Sequence, residues 1–76
     1  SDGMMTEGEM ESLAASRGLE FDRMWLQMMI AHHEGALAMA QQVLETTNTD
    51  AVAALAEDII QAQQSEIETM QQLLTQ

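Results

Sequence analysis

Two long amphipathic segments, separated by one short polar break, are the feature that most restricts the fold of this 76-residue chain. The second segment carries apolar residues three and four positions apart, the spacing of one helix face: Val52, Leu55, Ile59, Ile60, Ile67, Met70, Leu73 and Leu74. The break reads TTNTD, residues 46–50, whose short polar side chains favour caps and turns. Two long helices joined by such a short turn form an antiparallel hairpin.

The chain lacks proline and is rich in alanine, leucine, methionine, glutamine and glutamate, which favour helices over sheets. Thr6 and Glu9 have the Thr-x-x-Glu spacing of a capping box, and Gly18 is a natural left-handed terminator. We therefore predict helices at about residues 7–16, 20–45 and 50–75. The expected fold class is all-α, an antiparallel helical hairpin with a short N-terminal helix.

The size of the chain indicates that this hairpin needs a partner. A 76-residue chain is near the lower limit for a self-sufficient core, and the absence of cysteine excludes stabilisation by disulfides. Two long helices and a short one do not enclose a four-helix bundle. We expect completion either by a second copy, giving a dimer, or by a missing part of a longer parent chain, and the sequence leaves both alternatives open.

The charge of the chain excludes several classes of partner. Thirteen acidic residues against two arginines give a formal net charge of -11, which repels nucleic acids and anionic lipid surfaces. The same field attracts cations, although acidic surfaces commonly serve solubility alone. No apolar run approaches the roughly 20 residues needed to span a bilayer, so no membrane insertion by this segment is expected.

The second helix carries both histidines of the chain, in the stretch MMIAHHEGALAMA, residues 28–40. A helical projection puts His32 in the middle of the apolar face and His33 on its flank. Each histidine follows a methionine by four residues, so that Met28 lies beside His32 and Met29 beside His33. A thioether next to an imidazole suits Cu(I) or another soft ion.

Across the hairpin, Gln63, Glu66 and Met70 share the inward face of the third helix. The residues that we predict as metal ligands are therefore His32, His33, Met29, Met28, Met39 and Glu66. The alternative is equally open, because methionine often serves as flexible core filling and buried polar groups need partners in any case. Glu66 and the histidines would then form a hydrogen-bond network without metal.

No enzymatic function is expected. HHEGA lacks the second histidine of a His-Glu-x-x-His zinc motif, the Glu-x-x-His pair of ferritin-like di-iron proteins is absent, and there is no cysteine nucleophile. The serines have no recognisable oxyanion loop near them. The predicted function is binding rather than catalysis.

Two stretches resemble the DUF305 family. FDRMWLQMMIAHHEGALAMA is similar to its Phe-Asp…Met-Ile-x-His-His-x-Gly-Ala…Met-Ala signature, and IIQAQQSEIETMQQLL to its Ile-Ile-x-x-Gln-x-x-Glu-Ile-x-x-Met element. The positions on the pattern are Phe21, Asp22, Met29, His32, His33, Gly35, Ala36, Met39, Gln63, Glu66 and Met70. The opening GMMTEGEMESLAASRG also resembles the segment before the second repeat of two-repeat members.

This resemblance implies a single helical domain over residues 1–76, a fragment corresponding to the C-terminal repeat of a longer protein. It also implies a ferritin-like four-helix bundle whose other hairpin is the N-terminal repeat. Members are small bacterial secreted or membrane-anchored proteins, some linked to copper binding and copper tolerance in the periplasm. The function implied is copper binding in the bacterial cell envelope, and the alternative is a structural or interaction module without metal.

Overall fold

The computed structural model describes residues 5–76, which are helical throughout apart from the caps and turns. The three helices are α1 (Glu7–Ala15), α2 (Gly18–Thr46) and α3 (Asp50–Leu74). No strand occurs in this part of the chain. The predicted fold class is confirmed, and every helix boundary lies within two residues of its predicted position.

The start of α1 has the predicted capping box. The Thr6 hydroxyl accepts from the Glu9 backbone N–H at 3.1 Å, and the Glu9 carboxylate accepts from the Thr6 N–H at 2.9 Å. Two of the N–H groups that a helix start leaves without partners are satisfied in this way. Gly18 has a φ of +62°, the left-handed conformation expected of it, and stands at the turn where α2 begins.

The α2 and α3 helices form an antiparallel hairpin. Arg23, near the start of α2, donates from Nη1 to the carbonyl of Leu74 at the end of α3, at 3.2 Å. The connecting turn is held by Thr47, whose hydroxyl accepts from the Thr49 N–H at 3.1 Å. Thr49 is the N-cap of α3, but its side chain makes no capping hydrogen bond.

The side chains that the hairpin buries lie along one narrow seam between α2 and α3. On α2 they recur every seven residues, as expected when two helices pack side by side at a small angle. The buried residues of the two helices are Leu26, His33 and Ala40 from α2 and Ala56, Ile67 and Met70 from α3.

The expectation that the centre of the apolar stripe, at His32, is its buried part is wrong: His33 on the flank is buried and His32 is exposed. The apolar stripe of α2 is wider than one neighbouring helix can cover. The α3 helix packs along one edge of that stripe, at the ridge that contains His33. The centre of the stripe, including Met39 at 68% exposure, is left outside the seam.

The hairpin therefore has an apolar surface without a partner among the described residues, which we call the open face. Its large exposed side chains lie on the same side of both helices. They are Phe21, Trp25, Met39 and Val43 of α2 and Val52, Leu55, Ile59 and Leu73 of α3.

The molecule is one layer of helices. It measures 46 × 27 × 13 Å, and its radius of gyration of 14.8 Å exceeds the roughly 11 Å of a compact domain of this length. The α1 helix lies against α2 and makes no contact with α3. A complete four-helix bundle is thus not formed within residues 5–76. None of the three helices combines the length and apolarity needed to cross a membrane.

Close packing at the seam predicts a strong effect of residue size at Ala56, which is 3% exposed and faces the ridge of Ala40. We expect Ala56→Leu to lower the free energy of unfolding by about 1–3 kcal/mol, because the added methylenes force the helices apart. Ala54→Leu, at an exposed position of the same helix, is the matched control and should be nearly neutral. Urea denaturation measures both, and equal effects would contradict the assigned seam.

Candidate functional site

A hydrogen bond between His33 and Glu66 joins the two long helices near their midpoints. His33 Nε2 lies 2.7 Å from Glu66 Oε2, and the imidazole side chain is 11% exposed against 57% for the carboxylate. The bond therefore connects the buried seam to the edge of the open face. Neither Arg17 nor Arg23 bonds to Glu66, since both guanidinium groups bond to backbone carbonyls instead.

The other ring nitrogen of His33 is held by its own helix. Nδ1 lies 2.8 Å from the carbonyl oxygen of Met29, one turn earlier. A carbonyl can only accept, so Nδ1 carries a proton and donates it to that oxygen; the assignment follows from the partners. This fixes the orientation of the ring and aims Nε2 at the carboxylate.

Because Nδ1 keeps its proton, the 2.7 Å contact between Nε2 and Glu66 Oε2 requires a second proton between these two atoms. The imidazolium then donates from Nε2 to the carboxylate in a charge-assisted hydrogen bond. A cation that replaced this proton would meet the Nε2 lone pair and the carboxylate oxygens together. Metal-binding histidines commonly donate their other N–H to a backbone carbonyl, as His33 does to Met29.

An open concavity surrounds the bridge and adds two thioethers to it. Its walls are Trp25, Met29, His33, Glu66, Thr69 and Met70. Met29 belongs to α2 and Met70 to α3, so that two methionine side chains, an imidazole and a carboxylate line one space. Met70 was predicted to lie on the inward face of the third helix but was not predicted as a ligand. Its position four residues after Glu66 places both side chains on one helix face, and this spacing could have identified it as a candidate ligand.

The remaining predicted ligands lie elsewhere. The exposed His32 ring is 6.0 Å from the His33 ring, centroid to centroid, and does not line the concavity. Met28 lines a different surface, next to Glu9 of α1. Met39 lies in an apolar groove nearer the α2–α3 turn. The structure thus brings together Met29, His33 and Glu66, and it separates His32, Met28 and Met39 from them.

The predicted polar network is only partly formed. Gln63 lies in the seam, and its Oε1 is buried without a hydrogen-bond partner. An unpaired buried acceptor of this kind costs about 1–3 kcal/mol. The network within one chain is therefore the bridge between His33 and Glu66, and Gln63 Oε1 takes no part in it.

The concavity offers few ligands to metal ions that prefer oxygen or nitrogen donors. Within residues 5–76 there is no group of three histidine, cysteine, aspartate or glutamate side chains close enough to hold a metal ion. His33 and Glu66 supply two such donors, and the other side chains of the concavity that could add a ligand atom are the thioethers of Met29 and Met70 and the Thr69 hydroxyl, which donates to Ser65 O. Structural zinc, which takes four nitrogen, oxygen or thiolate ligands, does not fit a single hairpin.

Fold and site together define an all-helical hairpin with one histidine–glutamate bridge at mid-length. The family model described as "Domain of unknown function (DUF305)" matches residues 1–74, and the chain therefore belongs to the DUF305 family. The family resemblance found in the sequence is confirmed. Neither the curated proteins nor the solved structures contain a significant match to the chain.

The bridge predicts different consequences for the two neighbouring histidines. We expect His33→Ala to lower the free energy of unfolding by about 1–3 kcal/mol, because it removes two hydrogen bonds and a buried ring. His32→Ala, at the neighbour that is exposed in the single chain, should change the free energy of unfolding of that single chain by no more than about 0.5 kcal/mol. Urea denaturation of both variants without metal provides the measurement, and a larger loss for His32→Ala would contradict the structure.

Proposed function

We propose that this protein binds a soft metal ion, most fittingly Cu(I), in the concavity formed by Met29, His33, Glu66 and Met70. The observation that supports this proposal is the joint lining of one open concavity by an imidazole, a carboxylate and two thioethers. Thioether and imidazole donors together favour Cu(I), whereas Mg²⁺ and Ca²⁺ require oxygen ligands. The residues present therefore fit copper in the chemical type of their donors.

In this proposal each residue has a distinct task. His33 offers Nε2 as a ligand, with its ring held by the Nδ1 hydrogen bond to Met29 O. Met29 and Met70, on opposite helices, line the concavity and would supply thioether sulfurs that favour a soft ion. Glu66 supplies negative charge next to the cation, and the overall charge of -11 raises the local concentration of cations.

Of the six residues predicted from the sequence, His32, Met28 and Met39 have no part in this single-hairpin site. The proposed role is binding for copper handling or tolerance, not catalysis. We propose the periplasm or the cell exterior as its location, on the basis of the family resemblance alone.

Competition between the protein and a chromogenic Cu(I) chelator tests the proposed site under anaerobic conditions. We expect Met29→Leu and Met70→Leu each to weaken Cu(I) binding at least about tenfold, equivalent to about 1.4 kcal/mol. Leucine keeps the apolar volume and removes only the sulfur, so the fold should be preserved. His33→Ala should weaken binding further.

Matched controls separate this site from general methionine affinity. Met28→Leu and Met39→Leu make the same substitution at methionines outside the concavity. His32→Ala is the corresponding control for His33→Ala. These three variants should bind Cu(I) as the unmodified protein does. Equal losses in all variants, or no measurable Cu(I) binding by the unmodified protein, would refute the proposal.

A second candidate function is a structural or interaction module, in which the bridge acts without metal. The observation that favours it is that both ring nitrogens of His33 already have protein partners. Melting temperature with and without one equivalent of Cu(I) distinguishes the two candidates. A ligand that binds only the folded state raises the melting temperature, so an unchanged value would favour the structural role.

A further inference from the structure

The open face extends well beyond the proposed metal site and shares Trp25 with it. It extends from Phe21 and Leu73 at one end of the hairpin to Val43 and Val52 at the turn end. The groove at the turn end is lined only by apolar residues, among them Ala36, Leu55 and Ile59. Two apolar grooves on one side of the hairpin, one near each end, are typical of an interaction site.

The total surface of the chain indicates how much of it a partner has to cover. The accessible area is 5618 Å², whereas a compact monomer of 8.4 kDa exposes about 4,600 Å². The excess is about 1,000 Å². A stable interface of ordinary size buries about 800 Å² on each partner. In addition, none of the large side chains that the structure describes is fully buried, which is unusual for a finished core.

We propose that a second copy of this chain covers the open face, so that two hairpins form a four-helix bundle. The face is two helices broad and runs along nearly the whole of both, and a second hairpin of the same length matches both dimensions. A single added helix would cover only one groove. The pairing is isologous, since the same surface serves on both copies.

The distribution of charge supports a second copy over a partner of different composition. Glu34, Glu57 and Glu68 are exposed on the side of the helices away from the open face. Two chains of net charge -11 can therefore meet through the open face without bringing these carboxylates together. A basic partner would instead be attracted to the acidic outer surface.

Symmetry then brings the two bridges to the centre of the dimer. The midpoint of the open face falls at His32 on α2, between Phe21 and Val43, and next to Ala62 on α3, between Val52 and Leu73. If the two-fold axis is parallel to the helices, each residue lies at the same height along the bundle as its symmetry copy. If the axis is perpendicular to the helices, it passes through the midpoint of the open face, and residues near the midpoint lie close to their copies. In both arrangements the His33–Glu66 pairs face each other within about one helical turn.

This arrangement has an energetic consequence for Glu66, whose side chain is 57% exposed in the single chain. Covering the open face removes that carboxylate from water, which is tolerated only if it keeps a charged or hydrogen-bonded partner. His33 supplies that partner in each copy. The inference concerns the metal-free protein and does not depend on the proposed copper site.

Sedimentation velocity with a chelator present, at about 10 µM protein, tests the proposal, since interfaces of this size have micromolar or tighter affinity. We expect twice the chain mass of 8.4 kDa, and a melting temperature that rises with concentration. Met39→Glu should abolish the dimer. Met10→Glu, also at an exposed methionine but on α1, should leave it intact.

A mass of one chain, or of more than two, would overturn the proposal, and so would equal dissociation by both variants. If Met39→Glu loses its helical circular dichroism, the concentration dependence of the unmodified protein still decides. A melting temperature independent of concentration would mean that the open face belongs to another partner, such as a further hairpin of a longer chain.

Charge reversal at the centre of the interface provides an independent test. Glu66→Lys would place two ammonium groups beside two histidines in the dimer core, and we expect dimer dissociation to rise at least about tenfold. Glu68→Lys makes the same change on the outer surface and should not weaken the dimer. Equal dimer affinity of the two variants would show that Glu66 lies outside the interface.

Discussion

The constraint on which the rest of this structure depends is that one helix can cover only one edge of a wide apolar stripe. In α2 the stripe includes Phe21, Trp25 and Met39 as well as the ridge of Leu26, His33 and Ala40. Since α3 packs on the ridge, the remaining apolar surface is left on the outside of the hairpin. The open face and the burial of His33 are thus two results of the same packing choice. The histidine is polar and lies in the seam, so it needs partners, and it finds them in Met29 O and Glu66.

Local sequence signals were sufficient for the helices. The capping box of Thr6 and Glu9, the glycine at position 18 and the polar break at 46–50 act within a few residues, and the structure has all of them where they were predicted. The buried ridge of α2 could not be predicted in the same way. A projection of one helix finds the centre of its apolar stripe, which is near His32, but the partner helix settles where the side chains allow close approach. Ala40 and Ala56 provide that approach along the edge of the stripe.

The same distinction applies to the candidate site. His33, Glu66 and Met29 were predicted because i to i+4 spacing and a hairpin partner bring them to one region. Met28 and Met39 share helical spacing with the histidines, yet they line other surfaces. The α3 helix covers only one edge of the apolar stripe of α2, and both methionines lie outside that edge. Met70 was predicted to face inward but was not assigned as a ligand. Whether Met70 lines the concavity depends on how α3 is rotated about its own axis against α2, and the apolar pattern of one helix does not determine that rotation.

The central claim of this account is that His33, held through Nδ1 by Met29 O, offers Nε2 to a soft cation beside Glu66. Nitrogen-15 NMR of the two imidazole rings during addition of Cu(I) tests it most directly. The account predicts that the Nε2 resonance of His33 shifts, that its Nδ1 keeps a proton with a carbonyl-bonded signal, and that the His32 ring is unchanged. A shift confined to His32, or loss of the Nδ1 proton of His33 with Nδ1 as the ligand, would contradict it.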